Sequence, residues 1–211
     1  GLGASPEVWE DKMDRMVRKA VRKAQRSGLQ CYLETNPKSI AEDFYPLYLR
    51  SMKKFGTPPH PLSFFSNCLH YLNPYMKLFL VKDGQRTIAA LLGFTTGKRV
   101  QIISTTSDER YLDKRPNDLA HWEFIKWACD NGYEYFDFGP VRYEGQRRFK
   151  EKWGVTLLDY SYFFLCPGKP DIGDGLTYSK KAEFLASVWR RLVPLPLTKT
   201  IGPWFRRQLG D

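Results

Sequence analysis

The sequence predicts a mixed α/β fold of the α+β type, with a mostly antiparallel central sheet flanked by helices. Three strand-like runs follow one another between residues 76 and 107 with only short turns between them, which is typical of neighbouring antiparallel strands. Helical segments precede these runs, and one amphipathic helix separates them from the last strands. The 211 residues are 42% hydrophobic and 15% aromatic, so the chain has enough apolar side chains to fill a core.

The first predicted element is a basic helix that runs from Pro6 to about Ser27 and stops at Gly28. Lysines and arginines cover most of its surface, and apolar residues recur on one side at helical spacing. Two interpretations stay open at this point. The basic surface is either a solvated face or a face that lies beside an anionic ligand or a missing neighbouring domain. The apolar residues are Trp9, Met13, Met16, Val17, Ala20, Val21 and Ala24.

Four strands and two helices are predicted next. The two helices, at about 39–55 and 61–72, are separated by the sequence GTPPHP. Runs rich in apolar and β-branched residues predict strands at 29–34, 76–83, 87–96 and 99–107.

The last third of the chain begins with the polar loop DERYLDKRPND, which leads into an amphipathic helix at about 117–131. The run YEYFDFG predicts a strand, a short basic helix follows it, and TLLDYSYFFL at 156–165 predicts one more strand. Two further helices are expected at about 179–192 and 198–208, separated by the kinked PLP.

The formal charge of +10 and the pI near 9.4 favour an anionic partner. Nucleic acid, a phosphorylated cofactor, a nucleotide-linked precursor and an acidic lipid surface all fit, and charge alone does not choose among them. No apolar run approaches the roughly 20 residues that span a bilayer, and no signal peptide is recognised. We therefore expect a cytoplasmic protein, either free or at the inner face of the membrane.

The four cysteines lie far apart and form no CxxC pair, which suits reduced thiols better than a disulfide framework. The only histidines are His60, His70 and His121, and none has metal-ligand spacing to a cysteine. We therefore expect no metal site.

The stretch FDFGPVRYEGQRRFKEKWG, at 136–154, carries the strongest functional pattern. A strand ends with the carboxylate of Asp137, a Gly-Pro break follows, and five of the eleven residues from Arg142 to Lys152 are basic. A charge this dense beside a strand end suits an anionic substrate. Solvated surface cations explain it as well.

The order of elements is similar to that of acyltransferases of the GNAT superfamily, and the motifs resemble the FemAB family within it. FDFGPVRYEGQRRFKEKWG resembles the family's strand, loop, aromatic-Lys step and K-x-[WF]-G. RPNDLAHWEFIKWACDNGYEYFDFG is similar to the preceding helix and strand, and VRKAVRKAQRSGLQ to the basic helix that joins the family's two halves. RLVPLPLTKTIGPWFRRQLG resembles the tail of FemAB-like proteins found beside exopolysaccharide and exosortase genes. Together the motifs cover roughly Met16 to Leu209.

The resemblance implies a GNAT-like sheet whose strands splay apart near Gly139. FemAB proteins normally contain two GNAT-like domains, and this chain resembles the connecting helix and the second domain. We expect a basic connecting helix at 1–28, a GNAT-like domain at 29–168 and a helical extension at 169–211. The second GNAT-like domain of the family is then a missing partner.

The resemblance also implies a reaction. FemAB enzymes form an amide by transferring an aminoacyl group from a charged tRNA, or another acyl group, onto an amine of a peptidoglycan or other envelope precursor. We therefore expect an envelope or polysaccharide precursor as acceptor, no required cofactor, and aminoacyl-tRNA or acyl-CoA as donor.

Amide formation needs a placed amine, stabilisation of the oxyanion and removal of a proton. The resemblance matches the family's Phe-Lys step to Phe149 and Lys150, and implies that Lys150 stabilises the oxyanion while Phe149 lines the donor channel. The other interpretation is an exposed lysine on a basic helix, with Phe149 packed inside. Asp137 could accept the proton from the amine or, alternatively, pair with an arginine and hold the turn.

Other residues of the stretch are candidates for substrate binding. Arg147, Arg148 and Lys152 could hold phosphates of tRNA, coenzyme A or a nucleotide sugar, and solvated surface cations are the other interpretation. Arg142 and Tyr143 lie in the loop where a substrate could be oriented.

The loop before the central helix bears on the acyl donor. Acetyl-CoA-dependent GNAT enzymes bind pyrophosphate there through R-x-x-G-x-G/A, whose glycines let backbone N–H groups approach the phosphates. Here Lys114 and Arg115 are cationic candidates for a cofactor, but there is no glycine and Pro116 removes a donor. Ordinary acetyl-CoA binding is therefore disfavoured. Either Asn117 or Asp118 caps the helix, or the position contacts the ligand.

Two rival functions remain. One is a conventional acyl-CoA-dependent N-acyltransferase, and the other is a non-catalytic basic domain that binds RNA, anionic polymer or membrane. His121 faces no recognisable partner and is expected to be structural. The tail sequence PLPLTKTIGPWFRR either rests on a membrane surface or caps the sheet.

Overall fold

The structure is a computed structural model and describes residues 1–141, 144–159, 161 and 180–209. A π-helical turn at Val8–Lys12 follows α1, another at Ile40–Phe44 precedes α3, and a 3-10 helix at Glu109–Lys114 precedes α5. The helices and strands, in chain order, are α1 (Ser5–Glu7), α2 (Arg15–Arg26), β1 (Gln30–Glu34), α3 (Tyr45–Phe55), α4 (Leu62–Leu72), β2 (Met76–Asp83), β3 (Arg86–Thr96), β4 (Arg99–Ser107), α5 (Pro116–Asp130), β5 (Tyr135–Asp137), α6 (Glu144–Glu151), α7 (Lys180–Leu192) and α8 (Leu195–Leu209).

The five strands form one sheet in the order β1-β2-β3-β4-β5. The first four strands are antiparallel neighbours, and β5 pairs with β4 in parallel. The two hairpin turns begin with Gly84 and Gly97, both at positive φ, as two-residue turns between twisted strands require. The predicted mixed fold with a mostly antiparallel sheet is confirmed.

Both faces of the sheet are covered, because alternate residues of a strand point to opposite faces. Phe79, Val81 and Leu91 belong to a buried cluster with residues of α2 and α5. Leu80 and Leu92 belong to a second cluster with residues of α3 and α4. This two-sided burial explains why the two central strands are almost continuously apolar.

The N-terminal helix differs from the one continuous element that the sequence predicted. The chain leaves the helical conformation at Met13, whose ψ is 134°, and Asp14 restarts it by accepting a hydrogen bond from the Met16 N–H at 2.6 Å. Val17 and Val21 are then buried in the cluster that contains α5 residues. One side of the basic helix is therefore part of the domain core, and the basic residues occupy the other side.

The C-terminal helices are attached to the end of α3. The α7 backbone at Ala186 lies against Gly56, and the Lys53 ammonium donates hydrogen bonds to the carbonyls of Arg190 and Val193 at 3.1 and 2.7 Å. In α8, Leu195 packs against the cluster that contains α3 residues. This helix begins earlier than predicted because Pro196 occupies its first turn, where the missing N–H is tolerated.

One predicted strand is not found where the structure describes the chain. Residues 156–159 and 161 are described and adopt no regular structure, while 160 and 162–165 lie outside the described residues. Among the helices that are described, none is both long and apolar enough to cross a membrane.

Candidate active site

The pairing between β4 and β5 is short. Only three residues of β4, Arg99, Val100 and Gln101, pair with β5, and β4 continues through 102–107 beyond the last pair. At Gly139 the backbone has φ +71° and passes so close to the Ile102 carbonyl that a Cβ would stand 3.2 Å from its oxygen. Since L residues with a side chain rarely adopt this φ and a side chain would crowd the carbonyl of Ile102, glycine suits this position.

Asp137 ends β5 and holds the turn that follows. Its Oδ1 accepts a hydrogen bond from the Gly139 N–H at 2.8 Å, and its Oδ2 lies 3.4 Å from Nη1 of Arg99. This geometry corresponds to the pairing interpretation of the sequence. A role for Asp137 as proton acceptor stays a prediction.

The basic helix α6 has distinct inner and outer sides. Trp153 and Lys150 are buried and Phe149 is partly buried, because they recur at helical spacing on the side that faces the core. The outer cations are paired within the helix one turn apart, Arg147 with Glu151 at 2.8 Å and Arg148 with Glu144 at 3.0 Å.

The K-x-W-G end of this stretch joins α6 to the N-terminal segment. Gly154 has φ +69° and lies directly against the carbonyl of Lys12, which leaves no room for a side chain. The Lys152 carbonyl accepts a hydrogen bond from the Asp14 N–H at 2.9 Å, while the residue itself is exposed. The motif is thus explained by packing at Trp153 and by close backbone approach at Gly154.

Lys150 holds the loop that leaves the sheet. Its ammonium donates hydrogen bonds to the carbonyls of Gly139 at 2.8 Å and Pro140 at 2.9 Å, and the residue is only 9% exposed. The positive charge is therefore located where β5 ends and not in bulk solvent. Because Asp137 binds the Gly139 N–H and Lys150 binds the Gly139 carbonyl, one peptide segment is held from both sides.

Next to Lys150, His121 of α5 is buried among aromatic rings. Its ring lies parallel to Phe138 at 5.5 Å between centroids and contacts Phe149 at 5.3 Å and Trp153 at 5.6 Å. Nδ1 lies 2.7 Å from the Asn117 carbonyl, which only accepts, so Nδ1 carries the proton and Nε2 the lone pair.

The imidazole of His121 is neutral at ordinary pH. The pKa of His121 is lowered to about 4, mainly by burial. The charge of Lys150 adds to this lowering, and the hydrogen bond to the Asn117 carbonyl opposes it. The sequence predicted a structural histidine without a recognisable partner, and the structure places it beside the candidate site. Its position four residues after Asn117, on the same side of α5, is the signal in the sequence that could have suggested this.

The loop before α5 differs from a glycine-rich pyrophosphate loop. Arg115 has φ +62° and is the only non-glycine residue with positive φ in the described part of the chain. Lys114 is bound to Asp83 at 2.5 Å. Asn117 Nδ2 donates to Ser107 Oγ at 3.2 Å, while the buried Asn117 Oδ1 has no hydrogen-bond partner among the residues that the structure describes.

The expected helix cap at Asn117 or Asp118 is wrong. Arg115 is the N-cap residue, no side chain caps the helix, and Pro116 takes the first helical position, which places Asn117 and Asp118 inside the first turn. Burial raises the pKa of the Asp118 carboxyl, with Arg115 opposing the rise. A carboxyl group thus occupies the helix end at which a pyrophosphate would have to approach.

A buried carboxylate near this loop gathers three arginines. Asp108 lies within 3.2 Å of Arg50, 3.4 Å of Arg86 and 2.6 Å of Arg110. The hydrogen bonds from Arg110 are the main reason that the pKa of Asp108 is lowered to about 2. Sequence patterns do not predict this cluster, since its members come from α3, β3 and the 3-10 helix.

The structure brings Phe149, Lys150 and the carbonyl of Asn117 together around His121. Arg147 and Arg148 of α6 are exposed, and so is Lys152, which follows the helix. Arg142 and Tyr143 lie outside the described residues. Within the described ranges, no group of three or more His, Cys, Asp and Glu side chains is arranged to hold a metal ion. The functional roles of all these residues stay predictions.

Residues 11–151 match the protein family described as the acetyltransferase (GNAT) domain. The match covers more than half of the chain, so the chain belongs to this family. The comparison with curated proteins finds no match.

Solved structures show the same fold. FemX matches with a TM-score of 0.62 and 17% identity over 71% of this chain. An aminoglycoside acetyltransferase from an uncultured soil metagenomic sample matches with a TM-score of 0.52, 10% identity and coverage of 67% of this chain and 97% of its own. A ribosomal-protein-alanine N-acetyltransferase from Brucella melitensis biovar Abortus 2308 matches with a TM-score of 0.51, 11% identity and coverage of 66% and 99%.

The match to FemX covers 56% of the FemX chain, so this chain spans about half of that relative's length. At these identities the similarity shows the fold alone. The GNAT fold is therefore confirmed, while membership of the FemAB family and the domain boundaries stay predictions.

Proposed function

We propose that this chain is a GNAT-like domain of a FemAB-type N-acyltransferase, which transfers an aminoacyl or acyl group onto an amine of a cell-envelope or polysaccharide precursor. The observation that carries the proposal is the buried Lys150 ammonium at the end of β5, next to Phe149 in the chain and where the pairing of β5 with β4 ends. The similarity to FemX supports it.

In the proposed reaction, the nitrogen of a neutral acceptor amine attacks the ester carbonyl of the donor. A C–N bond forms and the C–O bond to the donor breaks. The amine loses a proton and the leaving hydroxyl gains one. The carbonyl oxygen carries negative charge in between, and a preorganised ammonium in a site of low dielectric constant stabilises such a charge strongly. Lys150 has this role in the proposal, and its two carbonyl partners hold it in place.

His121 is assigned to positioning and not to proton transfer. A general base works best when its pKa lies near the working pH, and the pKa of His121 is about 4. Its ring instead holds Phe138 and Phe149 in place. Asp137 fixes the Gly139 backbone whose carbonyl binds Lys150, so loss of either side chain is expected to misplace the same loop.

The start of α5 favours aminoacyl-tRNA over acyl-CoA as the donor. Pro116 has no N–H to offer a phosphate, and the carboxyl of Asp118 lies in the same turn. With tRNA as donor the protein acts in the cytoplasm, either free or at the inner face of the membrane.

Acyl-CoA-dependent transfer is the second candidate, because the family is named for acetyltransferases and two of the similar structures are acetyltransferases. Isothermal titration with coenzyme A separates the two donors. Micromolar binding favours acyl-CoA. Absence of binding, together with transfer from charged tRNA, favours the first proposal.

The test of Lys150 measures transfer of the amino acid from charged tRNA to a simple amine, a donor-half reaction for which the natural acceptor need not be known. Charged tRNA carrying labelled amino acids is incubated with the protein and a simple amine, and amide formation above the uncatalysed rate is measured. Lys150→Met is expected to reduce this rate by tens-fold or more. Lys98→Met, which removes an exposed lysine on the β3–β4 turn, is the control and should retain the rate.

Equal rates for Lys150→Met and the wild type would refute the assignment of Lys150. Salt-sensitive binding of tRNA without any transfer would favour the non-catalytic basic domain instead.

A further inference from the structure

Helix α7 has two apolar sides. One side faces the protein, with Trp189 buried and Ala186 in contact with Gly56. The other side faces solvent and carries Phe184, which is 68% exposed, and Leu192, which is 73% exposed, two turns further along the helix. The second apolar side is left exposed by the residues that the structure describes.

Helix α8 repeats this arrangement. Thr198 and Gly202 face the protein and are buried. Leu197, Ile201 and Trp204 recur on the opposite side at a spacing of four and three residues, and Trp204 is 59% exposed. Helices α7 and α8 are in contact with each other.

The contact between the helices is aromatic. The ring of Trp189 in α7 lies 5.9 Å from the ring of Phe205 in α8, which in turn lies 4.9 Å from Trp204. We call the exposed stripes of both helices the α7–α8 surface. Its large apolar residues are Phe184, Leu185, Leu192, Leu197, Trp204 and Phe205.

The charge of these helices suggests the kind of partner. Residues 180–209 contain seven basic side chains and one acidic side chain, a formal net charge of +6. Exposed Arg191 and Arg207 accompany the apolar stripes. Aromatic and aliphatic residues on one side of a helix, flanked by cations, are typical of helices that lie in the interface of an anionic bilayer. Tryptophan is also enriched at this interface, because its ring is apolar and its N–H is polar.

We propose that the α7–α8 surface binds the surface of an anionic lipid bilayer. The apolar side chains enter the boundary between headgroups and acyl chains, and the arginines and lysines contact lipid phosphates. The helices lie on the membrane and do not cross it. This proposal does not rest on the transferase proposal, and it would bring the domain to lipid-linked substrates if both are correct.

The test is co-sedimentation with vesicles of phosphatidylglycerol and phosphatidylcholine, compared with vesicles of phosphatidylcholine alone. We expect binding to the anionic vesicles, weak binding to the neutral ones, and a decrease as salt is raised. The double variant Phe184→Ser and Leu192→Ser is expected to lower the apparent affinity at least ten-fold. Both residues are exposed, so circular dichroism and the melting temperature should be unchanged.

Met16→Ser is the matched control, because Met16 is 61% exposed and lies on another strongly basic helix, α2. This variant should bind anionic vesicles like the wild type. Absence of binding to anionic vesicles, or equal binding by the double variant, would overturn the proposal. Self-association that the double variant abolishes, measured by analytical ultracentrifugation in the absence of lipid, would assign the surface to a second copy of the chain and would also overturn it. The donor-half reaction should be unaffected by these changes, so failure of the membrane proposal would not imply failure of the transferase proposal.

Discussion

At the scale of single residues, His121 and Lys150 show how two polar groups are accommodated where β5 ends. The Lys150 ammonium donates hydrogen bonds to two carbonyls, whereas His121 has aromatic neighbours and a lowered pKa. Burial is thus accompanied by hydrogen bonding at one side chain and by loss of charge at the other.

His121 should make the protein less stable in mild acid. Its pKa is about 4 in the folded protein and 6.5 in the unfolded chain, so between these values the unfolded chain binds more protons. The stabilising contribution is complete above pH 6.5 and is lost as the pH falls to about 4, by about 3 kcal/mol at most. His121→Phe removes the titration and is expected to flatten the pH dependence of the free energy of unfolding across this interval.

Urea unfolding of the wild type and of His121→Phe at several pH values between 7 and 4 measures the effect. His70→Phe, a change at an exposed position of α4, is the control and should follow the wild type. Parallel curves for the wild type and His121→Phe would show that the ring does not control acid stability.

Asp108 should also stabilise the folded protein, and its contribution should be lost at a lower pH than the contribution of His121. Its pKa is lowered from 3.8 to about 2, so its stabilisation is present above pH 3.8 and is lost as the pH falls to about 2. Asp108→Asn leaves three arginines without their shared carboxylate and is expected to cost about 2–3 kcal/mol at neutral pH.

The matched control for Asp108→Asn is Asp83→Asn, which removes a more exposed carboxylate with a single lysine partner. That change should cost less than about 1 kcal/mol. Urea unfolding at pH 7 compares the two variants, and equal losses would contradict the importance of the arginine cluster.

At the scale of elements, the junction of α3 and α7 depends on one glycine. Gly56 ends α3 at φ +70°, and a Cβ there would lie 2.6 Å from the Ala186 carbonyl oxygen. Helix α7 can therefore approach the end of α3 only because this position has no side chain. The α7–α8 surface depends on this attachment.

Gly56→Ala is expected to detach or displace α7. Gly84→Ala is the matched control, since Gly84 also has positive φ but a Cβ there would meet nothing within 4 Å. The control should cost about 1–2 kcal/mol for the left-handed conformation alone. Gly56→Ala should cost about 1–3 kcal/mol more because α7 has to shift.

Hydrogen exchange of the α7 amides, together with urea unfolding, distinguishes the two glycine variants. We expect faster exchange in α7 only for Gly56→Ala. Equal losses of stability and unchanged exchange would show that α7 does not depend on this contact.

At the scale of the whole molecule, the sheet couples two clusters on its opposite faces. Neighbouring residues of β2, such as Phe79 and Leu80, belong to different clusters, so neither cluster can lose its side of the sheet alone. The helices on both faces should therefore unfold together.

Leu80→Ala tests this coupling, because Leu80 is buried in the cluster that contains α3 residues and the change should cost about 2–5 kcal/mol. We expect α2 and α5, on the opposite face, to lose protection from hydrogen exchange by the same factor as α3. Far-UV circular dichroism and tryptophan fluorescence should give one shared urea midpoint. Separate midpoints, or loss of protection only in α3, would contradict cooperative unfolding.

Local patterns allowed most elements to be predicted. Strand bounds for β2 and β4 agree with the prediction, because alternation, β-branched content and the Gly turns are all properties of neighbouring residues. The break at Met13 could not be read from the sequence, since helical periodicity continues through it. It is set instead by the contact of the N-terminal segment with Lys152 and Gly154, which are distant in the chain.

The fold class, the order of the elements and the stretch that contains the candidate site can be predicted from the amino-acid sequence, because they follow from local propensity and hydrophobic periodicity. Which charges of that stretch are buried, and which groups bind them, depends on the folded chain. Lys150 and Lys152 have the same chemistry and are two residues apart, yet one ammonium is enclosed by the Gly139 and Pro140 carbonyls while the other residue is exposed. The difference arises from the direction in which α6 packs against α5 and the end of β5, which involves residues that meet only when the chain is folded.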